Sequence, residues 1–101
     1  MRRRYIAVNI ECSKILNEID IYEVIFTNLL RLFGEYGASQ ADLSLIEYNP
    51  EKKLAVLRCS HKALDIVKAS ITTITEVANE KVAFRTIRVS GTLKSLRKTI
   101  N

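Results

Sequence analysis

Apolar and polar positions change period along the chain. From residue 3 to 11 they alternate: Ile6, Val8 and Ile10 share one side, Tyr5, Ala7 and Asn9 the other. That is the signature of a half-buried strand. From Ile21 the period lengthens, and Ile21, Val24, Ile25, Leu29, Leu32, Phe33 and Tyr36 fall on one helical stripe. Asp20, with Glu23 three residues on, predicts the N-cap. Gly34 and Gly37 supply a left-handed stop, so the helix is expected over Ile21–Phe33. Between them, Cys12 to Ile19 fits a loop or a short helical turn.

Residues 41–48 and 53–59 read as two more strands, joined through Asn49-Pro50-Glu51-Lys52, whose proline presets a turn. Ser60 is expected to cap a second helix, with Leu64, Val67, Ile71, Ile74 and Ala78 as its stripe and Asn79 as its end. The run Ile71 to Thr75 is β-branched throughout, so packing rather than propensity must hold it. Residues 82–89 form a fourth strand. Ser90-Gly91-Thr92 turns the chain, and Leu93, Leu96 and Ile100 predict a short basic amphipathic helix. The order β-α-β-β-α-β predicts one α+β domain over residues 1–101. It is a ferredoxin-like, RRM-like two-layer sandwich: an antiparallel four-stranded sheet, ordered four-one-three-two, with both long helices on one face and a short C-terminal helix. An up-and-down order would need left-handed crossovers. The third strand is expected to start at the same end as the first, bringing Lys52 and Lys53 there. Strands apolar on both faces suggest that the C-terminal helix and a protein partner cover the second face.

Charge sharpens this picture. The net charge is +5, and it is unevenly spread. Arg2, Arg3 and Arg4 crowd one end, while residues 81–101 hold Lys81, Arg85, Arg88, Lys94, Arg97 and Lys98 and no acid; the middle is net acidic. In the expected topology the two basic ends meet along one sheet edge, a surface suited to a polyanion.

Candidate chemistry is sparse. The single histidine, His61, has no partners for nucleophilic or acid–base work. Cys12 and Cys59 have no metal-ligand spacing and read as small core residues of a reduced, cytoplasmic chain. The acids do not converge as a metal-dependent nuclease requires, and three glycines form no phosphate loop. No catalytic residue, bound metal or cofactor is expected, and no run is long enough to span a membrane. The third strand lacks the stacking aromatics of a sheet that reads RNA bases, which leaves phosphate contacts from the basic edge.

Four segments together resemble a known family. Arg3-Arg4-Tyr5-Ile6, Leu32-Phe33-Gly34-Glu35-Tyr36-Gly37-Ala38, Leu54-Ala55-Val56-Leu57-Arg58-Cys59 and Arg88-Val89-Ser90-Gly91-Thr92-Leu93-Lys94 are similar, in order, to the archaeal and eukaryotic ribonuclease P protein component 2, of the Pop-five type. The resemblance implies a non-catalytic subunit of a ribonucleoprotein endonuclease that removes 5′ leaders from precursor tRNA. In such an assembly the ribonuclease P RNA, with its Mg2+, carries the catalysis. It also implies a barrel-fold ribonuclease P protein partner and a homodimer within a heterotetramer. Arg2, Arg3, Arg4, Arg88, Lys94, Arg97 and Lys98 would then meet RNA phosphates, with Ser90 and Thr92 donating hydroxyl bonds or capping the last helix. The competing reading is a small ferredoxin-like ligand-sensing or regulatory dimerisation domain, against which the acid-free basic ends argue. A standalone RNA-binding module is the third reading.

Overall fold

A computed structural model describes residues 2–100; Met1 and Asn101, the ends of the expected single domain, lie outside the described residues. Strand β1 (Arg3–Cys12) leads to helix α1 (Glu18–Ala41), the hairpin β2 (Ser44–Asn49) and β3 (Leu54–Ser60), and a 3-10 turn (His61–Ala63). Helix α2 (Leu64–Thr72), β4 (Glu76–Val77), β5 (Glu80–Ser90) and α3 (Leu93–Ile100) follow. The sheet is antiparallel, in the order β2-β3-β1-β5-β4. It has five strands where the sequence predicts four. The long strands keep the expected order, and β4 is added outside β5.

The extra strand comes from the β-branched run. α2 ends at Thr72 rather than near Ala78. Asn28, buried on α1, donates to the Ser70 carbonyl at 2.7 Å and also binds the Thr73 hydroxyl, which fixes the last turn of α2. The chain then extends through Ile74 into β4. Ala78 and Asn79, both at positive φ, make the tight turn into β5 that a two-residue hairpin needs. Ser60 stands at the N-cap position of the 3-10 turn before α2 but makes no side-chain capping bond; its hydroxyl donates to the Gln40 carbonyl at 2.8 Å.

α1 starts earlier than expected. Asn17, not Asp20, caps it, accepting from the Ile19 N–H at 2.8 Å. At the other end Gly34 does break the helix, with φ 76°, but the chain resumes helical geometry to Ala41 and closes on Asp42 at φ 47°. A glycine at Gly34 tolerates the positive φ that a side chain would resist.

The two faces of the sheet are covered separately. Ile6, Val8 and Ile10 of β1, Ala55, Leu57 and Cys59 of β3, and Val82 and Phe84 of β5 pack with Ile21, Ile25 and Leu29 of α1 and Val67 and Ile71 of α2 in the main core. On the opposite face Ala7 and Val56 are sealed by Leu96 of α3, with Tyr5, Ile46, Leu54, Leu93 and Ile100 around them. α3 therefore covers the central apolar part of the second face, the role expected of the C-terminal helix there. Two bulges adjust the phase of the outer strands: one at Ile46 on β2, one at Ile87 on β5.

The register corrects one expectation. β1 and β3 run antiparallel, Arg3 opposite Ser60 and Asn9 opposite Leu54. The crossover through α1 leaves β2 parallel to β1, and the short hairpin then reverses β3. Lys53 consequently sits at the far end from Arg3, its Nζ 3.4 Å from Glu11, and cannot join the basic end.

Candidate nucleic-acid interface

Six of the nine predicted contact residues gather on the α3 side of the sheet, and a seventh, Arg4, reaches the end of that side from the β1 position opposite Cys59. Ser90 ends β5 opposite Tyr5, and its Oγ accepts from the Thr92 N–H at 3.3 Å. Thr92 caps α3: its Oγ1 accepts from the Ser95 N–H at 3.2 Å, the geometry of an N-cap. Arg4 reaches this turn. A Cβ on Gly91 would stand 3.4 Å from its Nη1, ordinary contact distance, which places the guanidinium beside this turn. α3 then crosses the face on its Leu93–Leu96–Ile100 stripe. That orientation leaves Lys94, Arg97 and Lys98 exposed. Arg97 lies 3.6 Å from Glu47 of β2, which shows that this flank faces β2.

Arg88 is brought to the same face by the bulge. It stands opposite Ala7, while Arg85 stands opposite Asn9. Both partners point to the α3 side, so both arginines do too. In an unbroken strand residues three apart face opposite ways; the extra residue at Ile87 aligns them. The interface is thus a face with a helix laid across it, not the edge expected from the sequence.

Arg2 and Arg3 do not join it. The Arg2 carbonyl accepts from the His61 N–H at 2.8 Å. Its side chain lines a separate cavity of about 320 Å³ with Gln40, Ser60, His61 and Lys62. Arg3 turns to Asp42, 3.4 Å away. Such half-exposed ion pairs hold little free energy, about 0–1 kcal/mol, so Arg3 and Arg97 remain exchangeable cations.

Two further arginines on this face, Arg85 and Arg58, stand outside the expected contact set. Arg85 was hidden by the bulge, which leaves no mark in the apolar pattern. Arg58 was readable in principle: Leu54, Val56 and Arg58 alternate onto the α3 side. The chemistry elsewhere is quiet. Cys59 is fully buried on the helix side, and burial pushes its thiol up to about 11, against a small opposing pull from Arg4. Among the described residues no group of three His, Cys, Asp or Glu side chains is placed to hold a metal ion. No helix is long and apolar enough to cross a membrane.

Fold and site together define a small antiparallel α+β domain with one cationic, helix-capped face. The chain belongs to the Rpp14/Pop5 family, whose model matches residues 4–101. Its relatives include ribonuclease P protein component 2 of Archaeoglobus fulgidus, 34% identical over 97 residues, covering 96% of this chain and 86% of that protein. The component 2 protein of Pyrococcus abyssi is 29% identical over 97 residues, covering 96% and 82%. Among solved structures, a chain of yeast ribonuclease MRP superposes with a TM-score of 0.74 over 98% of this chain and 88% of that one. At 16% identity that likeness speaks to the fold alone.

Proposed function

We propose that this chain is a protein subunit of ribonuclease P, the ribonucleoprotein that removes the 5′ leader of precursor tRNA, and that it supports the RNA through its α3 face. The family match across nearly the whole chain, with archaeal relatives named as ribonuclease P protein component 2, carries the reading. The ligand-sensing alternative is not favoured. The RNA, with Mg2+, supplies the chemistry; the protein supplies cations and shape. Lys94, Lys98 and Arg88 neutralise phosphates, which positions the RNA without reading bases. Arg4 with the Ser90–Thr92 turn extends that surface to the start of α3, while Arg2, at the same end of the sheet, contacts RNA from the separate cavity beside His61. The partner is a barrel-fold ribonuclease P protein, within a heterotetramer holding two copies of this chain in the cytoplasm. Its docking surface lies off the sheet, where Leu32, Phe33 and Tyr36 flank the Gly34 break and are 40%, 39% and 79% exposed. The long strands retain the ferredoxin-like plan, with β4 as an addition.

The test is reconstitution of precursor-tRNA cleavage from the RNA and its proteins, with Lys94→Ala/Lys98→Ala in this chain. Losing two phosphate contacts should lower the slope of log affinity against log salt by roughly 1.4–1.8. Activity at low magnesium should fall and recover as magnesium rises. An unchanged slope with full low-magnesium activity would refute the α3 face as the RNA surface.

A further inference from the structure

Four strands place one residue each in a single row across the α3 side, at the end where α3 begins. Ser90 of β5 stands opposite Tyr5 of β1, Tyr5 opposite Arg58 of β3, and Arg58 opposite Ser44 of β2. The next row inward is Arg88, Ala7, Val56 and Glu47, and Leu96 closes over its two central residues. The outer row thus forms the rim of the cover that α3 provides. All four of its residues are half-buried, and all four carry a hydrogen-bonding group.

Arg58 is the member of this row that the protein leaves least satisfied. Its Nε is buried with no acceptor, and its Nη2 reaches only the Ser44 hydroxyl, at a long 3.4 Å. No carboxylate pairs with it among the described residues, whereas the more exposed Arg3 and Arg97 each have one. A partly desolvated guanidinium without a counter-charge is unfavourable, and an arriving anion relieves it. The flat fork of arginine suits a phosphate. Its neighbours add donors. Ser44 Oγ accepts from Arg58 and Ser90 Oγ accepts from the Thr92 N–H, so both hydroxyl protons are free to point outward. With strands ~4.8 Å apart the row spans ~14 Å, long enough to follow a backbone rather than hold a lone ion.

We infer that the row Ser90–Tyr5–Arg58–Ser44 binds the phosphodiester backbone of an unpaired RNA strand, with Arg58 as its anchor. This rests on the RNA-binding reading above and deepens it. The lysines of α3 hold phosphates as mobile point charges; Arg58 holds one in a fixed orientation. The row lies at the foot of α3, a cylinder ~10 Å across with its side chains. A single strand fits into that step, while a rigid duplex rests on the helix crest and reaches Lys94 and Lys98 instead. The ring of Tyr5 offers a face to a base next to the held phosphate.

The experiment titrates the full-length protein with a short labelled single-stranded RNA and, separately, with a labelled RNA hairpin duplex at the same salt. Arg58→Gln and Arg58→Lys are each expected to weaken single-strand binding about tenfold or more, the worth of a charge-assisted bond pair, with duplex binding changed less than about twofold on the same scale. Lys68→Ala, on the exposed side of α2, removes a charge remote from the row and leaves both affinities unchanged. Arg58→Lys also keeps the test alive if Arg58→Gln melts. Wild-type single-strand affinity in the lysine variant, or equal losses for both RNAs, would overturn the inference. If Lys94→Ala/Lys98→Ala weakens binding while the Arg58 variants do not, only this inference fails; if no variant weakens binding, the RNA-binding reading fails with it.

Discussion

The α1/α2 side and the α3 side of the sheet receive alternate residues of the same strands, yet they are finished differently. On the first, two helices cover apolar side chains contributed by β1, β3, β4 and β5, and the core runs from Ile6 to Phe84. On the second, one eight-residue helix buries its own Leu96 against Ala7 and Val56, and the surrounding positions turn polar and cationic. One side supplies the stability; the other uses a small apolar anchor to hold charged groups in place. The contrast shows how a domain of 101 residues divides its strands between folding and recognition, simply by the parity of each position.

Large-to-small substitutions should separate the two sides most clearly. Leu57→Ala, in the main core, is expected to cost about 4 kcal/mol, and Leu96→Ala, under α3, about 2–3 kcal/mol, because the thinner cover relaxes into the gap. Urea denaturation measures both, and hydrogen exchange should show the Leu96 loss concentrated in α3. Equal costs, with protection lost throughout the sheet, would break the distinction between the faces.

Cys59 provides a second comparison, this time against Cys12. The Cys59 thiol is fully buried with its pKa raised to about 11, while Cys12 is half-buried. In the folded protein an alkylating reagent near neutral pH should label Cys12 and spare Cys59, read by mass spectrometry. Because the folded pKa lies above the ordinary thiol value of 9.0, the contribution of this thiol to stability is complete below pH 9. It is lost as pH rises from there through about 11. Melting temperature followed over that window, with Cys59→Ala as the insensitive control, checks the sign.

The smallest effect concerns the ion pair that ties the α3 flank to β2. Glu47→Gln releases Arg97 from its only carboxylate among the described residues. Stability should change by less than about 1 kcal/mol, while RNA affinity rises slightly and its salt slope steepens. Weaker RNA binding in this variant would mean that Glu47 orients Arg97 rather than competing for it.

Most of the fold was legible because period-two and helical stripes are written directly in the core residues. Ile6, Val8 and Ile10 marked β1, and Leu93, Leu96 and Ile100 marked α3. What stayed hidden depends on contacts between distant residues. Asn28 leaves no mark in the apolar pattern, yet its bonds to Ser70 and Thr73 end α2 and free Thr75 and Val77 for the added edge. Asn17 outcompeted Asp20 as the cap through a local bond that composition does not rank. At the candidate site, charge clustering found Lys94, Arg97 and Lys98. It could not tell that Arg3 would meet Asp42 or that Arg2 would sit beside His61. Those outcomes are set by where a strand end meets neighbouring loops.

A strand counts in twos, and the bulge at Ile87 acts as a one-step shift of that count. Upstream, Arg85 keeps one beat; downstream, Arg88 and Ser90 keep the other; the inserted residue brings them into phase against Asn9, Ala7 and Tyr5. The identity of residue 87 therefore matters less than its presence. Ile87 is 48% exposed, and many side chains could stand there. Removing it would turn every later position of β5 over, sending Arg88 toward the oily side of the sheet and Val89 toward water. The shape of this face is thus guarded against substitution at that point but sensitive to a change in length, an asymmetry that a deletion variant and a point variant at the same position would expose side by side.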